Sequence, residues 1–184
     1  MARTIKFSKE YLLEKSVDFI KEEGYSKLTV RELAKYIGCS TQPFFKNYDN
    51  FDMYKKDLKL YLRNDYELFI NKYVKEDDYL YTISFAYALY AKEKPNMFFS
   101  MFMADLAGSR TVTEVINTER NKKTIDAMVK QYNISLEKAE KIYRDVRFYT
   151  HGMATQLCVN SIKLNEKEIG SLIKNIIEIN IRGN

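Results

Sequence analysis

Hydrophobic residues recur along this chain at the spacing of an amphipathic helix in one segment after another. In residues 29–37, four apolar residues fall at intervals of three and four: Val30, Leu33, Ala34 and Ile37. Comparable stripes predict helices over residues 8–23, 50–75, 76–92, 97–106, 113–132, 136–163 and 166–181. No segment shows the two-residue alternation of a strand, a hairpin turn signal or an internal repeat. The pattern therefore predicts an all-α protein.

Residues that favour helix ends surround residues 29–37. Thr29 and Glu32 have the spacing of a capping box at the start. Gly38 follows the last apolar position and suits a left-handed C-cap. Ser40 or Thr41 can cap a further helix, which has a proline in its first turn. Two short helices joined by a tight turn with a glycine predict a helix–turn–helix, whose second helix enters the major groove of DNA.

The segment TVRELAKYIGCSTQPFFKNYDN, residues 29–50, resembles the N-terminal domain of TetR-family transcriptional regulators. The family pattern is a Thr-Val-x-x-Ile/Leu-Ala helix, then Gly-Val-Ser, then a recognition helix with Leu-Tyr-x-His-Phe. The resemblance extends from about residue 7 to about residue 58; beyond it, only the helical pattern and the length agree. It implies a helix–turn–helix DNA-binding domain over residues 1–50. A long helix would join this to a helical effector-binding and dimerisation domain over residues 51–184.

The resemblance places DNA contacts on the recognition helix and beside it, with Phe44 and Tyr48 facing inward. Gln42 is the first candidate for a base contact, because a glutamine amide can pair bidentately with adenine. The other positions suit phosphate or mixed contacts, which position the protein without specifying sequence. Each polar candidate can also be read as an ordinary exposed residue. The full set is Thr29, Ser40, Thr41, Gln42, Pro43, Phe45, Lys46, Asn47 and Lys55.

Two positions depart from the family pattern. Phe45 stands where a tyrosine is usual, so a hydroxyl that could reach a phosphate is missing. Phe51 stands where a lysine is usual, with Lys55 and Lys56 one turn further on. These lysines can replace the lost charge, or else the affinity for DNA is lower. The departures keep a second interpretation open, in which the chain is an effector-binding or protein-interaction module with weak or lost DNA binding.

The charge of the chain is concentrated near its start. The formal net charge is +5, and residues 1–63 hold 13 Lys and Arg against 9 Asp and Glu, or +4 of it. A basic end suits phosphate binding, although it also suits a solvated surface. Residues 1–6 contain Arg3 and Lys6, which can contact DNA beside the main helix or belong to a frayed terminus.

Several classes of protein are disfavoured by residue usage. Cys39 and Cys158 lie far apart and form neither a disulfide framework nor a metal-ligand spacing. With a single histidine and no paired acid and base, activated nucleophile or metal set, we expect no enzymatic activity and no cofactor or metal. The chain has no charged-then-apolar leader and no apolar run of 18 residues. We therefore expect a cytoplasmic protein without a membrane span.

Aromatic residues and methionines are dense in the second half of the chain. They can line an adaptable apolar pocket or simply form core. The TetR resemblance implies a small effector there, and the composition favours a large, flat or lipophilic one. His151 is the sole histidine and is also explained as a core residue. The candidate effector-binding residues are Phe85, Phe98, Phe102, Met103, Tyr143, Phe148 and His151.

The last two predicted helices carry more apolar residues than so small a body needs. They include Ile162, Leu172, Ile173, Ile176, Ile177 and Ile179. The resemblance implies a homodimer through these helices, whose two recognition helices would read two half-sites of an operator. We expect a repressor: effector binding would shift the long helix, change the separation of the recognition helices and release the operator.

Overall fold

The computed structural model describes residues 7–104, 108–109 and 111–183. Within these residues the chain forms ten α-helices, two 3-10 helices and no strand, so the all-α prediction is confirmed. The α-helices are α1 (Lys9–Glu23), α2 (Val30–Ile37), α3 (Gln42–Asn47), α4 (Phe51–Ile70), α5 (Tyr79–Glu93), α6 (Pro95–Phe102), α7 (Val112–Ile116), α8 (Glu119–Tyr132), α9 (Leu136–Cys158) and α10 (Glu166–Arg182). The 3-10 helices are Tyr25–Lys27 and Glu76–Asp78.

Capping residues set the start of several helices. The hydroxyls of Ser8 and Thr29 accept backbone N–H groups three residues further on, at the starts of α1 and α2. Ser135 and Asn165 cap α9 and α10 in the same way. Gly38 ends α2 with φ +78°, a left-handed conformation that glycine adopts without a Cβ clash. Local chemistry therefore decides these ends.

The long helix ends earlier than its sequence pattern predicts. A helix over residues 50–75 is expected, but α4 ends at Ile70. The Lys72 and Tyr73 N–H groups donate to the carbonyls three residues before them, of Phe69 and Ile70, instead of four residues before. A tighter turn therefore ends the helix.

The helix predicted over residues 113–132 is two helices, α7 and α8. The Asn121 side-chain amide donates to the Val115 carbonyl, so a side chain takes the place of the backbone N–H that a continuous helix would supply. α9 likewise stops short of its predicted end, at Cys158, because Asn160 takes a left-handed conformation with φ +55°.

The described residues divide into two compact units. The first contains residues up to Tyr66 and residues from Asn96 to Gly108; the second contains residues 67–95 and 109–183. α4 contributes residues to both units. The domain boundary predicted at residue 50 is based on the helix–turn–helix segment alone. It stays a prediction.

Four aromatic residues form an aromatic cluster in the first unit: Phe44, Tyr48, Phe51 and Tyr54. The Tyr54 ring lies with its centroid 4.9 Å from that of Phe44, 5.4 Å from that of Tyr48 and 5.3 Å from that of Phe51. Tyr54 is fully buried, and its hydroxyl donates to Ser16 Oγ of α1 at 2.6 Å. The cluster therefore joins α3, α4 and α1 in one core.

In the second unit, α5 packs against α8, α9 and α10. Gly170 of α10 lies close to α5, since a Cβ added there would be 2.7 Å from the Tyr81 hydroxyl. Arg120 of α8 donates to the carboxylate of Glu67 and, at 3.0 Å, to Asn71 Oδ1. This bridge ties α8 to the end of α4.

The buried hydrogen bond between Tyr54 and Ser16 generates a stability prediction. Replacing Tyr54 with Phe keeps the ring packing and leaves a lone pair of Ser16 Oγ unpaired, so we expect the free energy of unfolding to fall by about 1 kcal/mol. Urea denaturation of the full chain measures the change. Tyr61→Phe on the outer face of α4 is the matched control and should stay within about 0.5 kcal/mol of wild type. Equal effects of the two changes would contradict the assignment.

Candidate functional sites

Residues 38–41 join α2 to α3 in a turn of four residues. Thr41 occupies the N-cap position of α3 without a side-chain capping bond. The neighbouring Ser40 Oγ accepts the Gln42 N–H at 3.4 Å, and Pro43 lies in the first turn. Both capping candidates therefore lie at the start of α3, as predicted, and the geometry is that of a helix–turn–helix.

Helix α3 has one buried and one exposed face. Phe44 is 3% exposed and Tyr48, just past the helix end, is 1% exposed, so the expectation that both face inward is confirmed. Gln42, Phe45 and Lys46 are exposed and, at positions i, i+3 and i+4, share the opposite face. Phe45 is 59% exposed. An amide, an aromatic ring and an ammonium group are thus presented together.

Asn47 has a structural role at the end of α3. Its side-chain nitrogen donates to the Phe7 carbonyl at 2.9 Å and to the Pro43 carbonyl at 2.8 Å. The side chain therefore ties α3 to the segment that leads into α1. A contact from Asn47 to DNA stays a prediction. The arm of residues 1–6, with Arg3 and Lys6, lies outside the described residues.

The lysine that could replace the missing family lysine is already engaged. The Lys55 ammonium is 3.5 Å from the Asp52 carboxylate and 5.4 Å from the centroid of the Phe51 ring. Thr29 is exposed, but its hydroxyl caps α2. Neither position is excluded as a DNA contact, and both stay predictions.

Two basic residues near the recognition helix were missed by the sequence analysis. Arg31 and Lys35 are exposed on α2 and, four residues apart, lie on one face of it. The sequence signal for these two residues is their position relative to the apolar stripe that predicts α2. Both fall on the side of the helix that the stripe leaves free.

The candidate effector-binding residues fall in both units. Phe98, Phe102 and Met103 belong to the first unit, whereas Phe85, Tyr143, Phe148 and His151 belong to the second. Phe98 and Tyr143 are buried, while Phe148 is 60% exposed. Aromatic residues that are dense in the sequence thus lie both in the core and at the surface. Effector binding by these residues stays a prediction.

Within the second unit, four residues form a polar cluster: Tyr87 of α5 and Tyr143, Arg147 and His151 of α9. The Tyr87 hydroxyl and His151 Nδ1 share a hydrogen bond of 2.8 Å, and the Arg147 guanidinium lies 5.4 Å from the Tyr87 ring centroid. The three α9 residues recur every four positions, a signal that could have identified Arg147 from the sequence.

Burial controls the ionisation of this polar cluster. Burial, and then the charge of Arg147, hold the pKa of His151 below its ordinary value. Burial raises the pKa of Tyr143, while the Arg147 charge and hydrogen bond oppose that rise. At neutral pH the imidazole of His151 and the phenol of Tyr143 are therefore neutral beside the Arg147 cation.

Two grooves lie on the second unit. One, of about 790 Å³, is lined by Glu76, Asp77, Tyr79, Glu119, Lys122, Lys123, Asp126, Ala127, Lys130 and Gln131. The other, of about 580 Å³, is lined by Lys92, Pro95, Leu157, Cys158, Asn160, Ile162, Lys163, Leu164 and Asn165. Neither groove is lined by a candidate effector-binding residue.

Two structural features are absent from the described part of the chain. None of its helices is both long and apolar enough to cross a bilayer. It holds no group of three or more His, Cys, Asp and Glu side chains placed to hold a metal ion.

Comparison with known proteins gives a distant similarity. No known family profile matches the chain. A Mycobacterium tuberculosis protein described as an uncharacterized HTH-type transcriptional regulator is 23% identical over 111 residues, which cover 59% of this chain and 51% of that protein. The chain thus spans about half the length of this relative. The similarity supports a transcription regulator in general terms.

The polar cluster generates a prediction for pH dependence. In the unfolded chain the histidine is protonated as the pH falls below about 6.5, whereas the pKa of folded His151 is lower. The unfolded chain therefore binds more protons in this range, and the free energy of unfolding should decrease as the pH falls below about 6.5. Urea denaturation between about pH 7.5 and 5.5 measures this. In His151→Gln the decrease should largely vanish. An equal decrease in that variant would show that another group is responsible.

Proposed function

We propose that this chain is a ligand-responsive DNA-binding transcription regulator of the TetR type, and a repressor released from its operator by a small apolar or aromatic effector. The similarity to an HTH-type transcriptional regulator supports regulation of transcription in general. The resemblance of residues 29–50 supports the finer assignment. No catalytic role is part of the proposal.

The exposed face of α3 is the observation that carries the proposal. Gln42 presents an amide that matches the donor and acceptor of adenine in the major groove. Lys46, one turn on, presents a charge suited to phosphate. Since Phe44 and Tyr48 anchor the opposite face, α3 can offer these groups without reorganising.

The effector site that we propose includes the polar cluster of the second unit. Its phenol, imidazole and guanidinium groups can orient a ligand whose body packs on aromatic rings. The Arg120 bridge supports a route for the signal, because it ties α8 to Glu67 near the end of α4. α4 continues into the first unit, so an effector that prefers one position of this helix would change the presentation of α3.

We further propose a homodimer through α9 and α10. Both helices expose large apolar side chains in the second unit, among them Phe148 of α9 and Ile179 of α10. Gly152, one turn after Phe148, is exposed, and a Cβ added there would meet no atom within 4 Å. A face with bulky and open positions suits close packing against a second copy, which would present two recognition helices to two half-sites.

The engagement of Lys55 with Asp52 favours one alternative, namely an effector-binding or protein-interaction module with weak DNA binding. That pair lowers the charge available to phosphates beside α3. The two functions differ in the strength and salt dependence of DNA binding.

Removing the two polar groups of the exposed α3 face should weaken specific DNA binding. We expect wild-type protein to bind a promoter duplex with an affinity that falls steeply with salt concentration. Gln42→Ala with Lys46→Ala should weaken it by at least about tenfold, since a bidentate base contact contributes about 1–3 kcal/mol. Fluorescence anisotropy at several salt concentrations measures both effects.

The matched control removes the same two residue types from α8, as Lys130→Ala with Gln131→Ala. It changes the net charge equally and should leave DNA affinity within about twofold of wild type. Equal losses in the two double variants would contradict a role for α3. Binding that ignores both salt and the α3 changes would contradict the assignment as a DNA-binding regulator.

A charge on the apolar face of α9 and α10 should separate the dimer. Wild-type protein should sediment at twice the mass of one chain, and Phe148→Glu with Ile179→Glu at the mass of one chain, because burying two carboxylates in an apolar interface is costly. Leu68→Glu on α4, which replaces a side chain that is 70% exposed, is the control and should not change the mass. A monomeric wild type would contradict the proposed interface.

A further inference from the structure

The exposed face of α3 holds one apolar side chain, Phe45, between two polar ones. Gln42 lies three residues before it and Lys46 follows it, all three exposed. A phenyl ring has no hydrogen-bond donor, so Phe45 cannot bind a phosphate oxygen as a tyrosine at this position could. Its only means of recognition at a DNA surface is apolar contact.

The ring of Phe45 is held in place by the aromatic cluster. It packs edge-to-face on Phe44, with centroids 5.4 Å apart and planes at 79°. Phe44 is itself buried against Tyr54, with centroids 4.9 Å apart. Yet 59% of the Phe45 residue surface remains exposed. The ring therefore offers a positioned apolar surface and loses little freedom on contact.

The chemistry of the major groove leaves one partner for such a surface. Base edges there present nitrogen and oxygen groups, and the 5-methyl group of thymine is their apolar feature. We propose that Phe45 reads a thymine methyl group and is a specificity-determining residue of α3. This inference rests on the proposed DNA-binding function and adds the identity of a base that it recognises.

The spacing along α3 sets where that thymine lies. Gln42 and Phe45 are separated by about 4.5 Å along the helix axis, at about 1.5 Å per residue. Successive base pairs are about 3.4 Å apart. The two side chains therefore reach the same or neighbouring base pairs. With Gln42 on adenine and Phe45 on a thymine methyl, the centre of each half-site should be rich in A·T pairs.

Replacing thymine with deoxyuridine tests the inference, because it removes the methyl group and keeps every hydrogen-bonding group of the base. The best-bound duplex is first selected from a random library with full-length wild-type protein. Each thymine in one half-site is then replaced singly. At one or two positions we expect about fourfold weaker binding, as follows from about 0.8 kcal/mol for one buried methyl group.

The variant Phe45→Ala assigns the effect to this residue. It should bind the thymine and deoxyuridine duplexes equally at those positions, so that the effects of the two changes are not additive. Phe45→Leu keeps an apolar side chain and should retain part of the discrimination. Circular dichroism of both variants establishes that they fold. The deoxyuridine series on wild-type protein does not depend on the folding of any variant.

The outcomes separate this inference from the function on which it rests. Salt-sensitive duplex binding with no loss at any deoxyuridine position would overturn the inference and leave the proposed function standing. The same thymine preference in wild type and Phe45→Ala would also overturn it. Failure of wild-type protein to select any duplex would overturn both.

Discussion

Helix α3 depends on the aromatic cluster beneath it. A helix of six residues does not stand alone in water, because too few hydrogen bonds offset the cost of nucleation. Phe44 and Tyr48 bury its inner side against Phe51 and Tyr54 of α4. Burial of these rings holds the helix in one orientation. Burial also raises the pKa of Tyr48 to about 12, so its phenol stays neutral. The exposed face of α3 follows from this packing.

The same packing involves the two phenylalanines at which the sequence departs from the TetR pattern that it resembles. Phe51 stands where that pattern has a lysine, and its ring lies 5.3 Å from that of Tyr54 in the aromatic cluster. Phe45 stands where the pattern has a tyrosine, and it extends the cluster to the surface through its contact with Phe44. At both positions an apolar ring therefore stands in place of a polar group and adds to the aromatic packing around α3.

The sequence predicts well those features that depend on neighbouring residues. The caps at Ser8, Thr29, Ser135 and Asn165 were predictable because a side chain bonds to a backbone N–H three residues away. The end of α4 was not, because the Lys72 and Tyr73 N–H groups turn to carbonyls three residues back at a place that no proline or glycine marks. A helix end of this kind leaves no clear signal in the sequence.

The candidate sites show the same limit. The buried face of α3 was predictable from the family resemblance, which places Phe44 and Tyr48 inward, and both are buried. The candidate effector-binding residues were chosen for aromatic type, which indicates burial but not which other residues lie nearby. The structure instead places His151 beside Tyr87, from a helix that is distant in sequence. Arg147 was missed because the candidates were chosen by aromatic type, although its four-residue spacing from Tyr143 and His151 places it on their side of α9.

Hydrogen–deuterium exchange of the full chain, with and without a selected duplex, shows whether α3 contacts DNA. We expect slower backbone exchange in peptides covering the turn and helix of residues 38–47 when DNA is bound, because a helix that enters the groove is shielded from solvent. Gln42→Ala with Lys46→Ala should remove that protection. A DNA complex that forms without any change in residues 38–47 would rule out α3 as the DNA-binding helix.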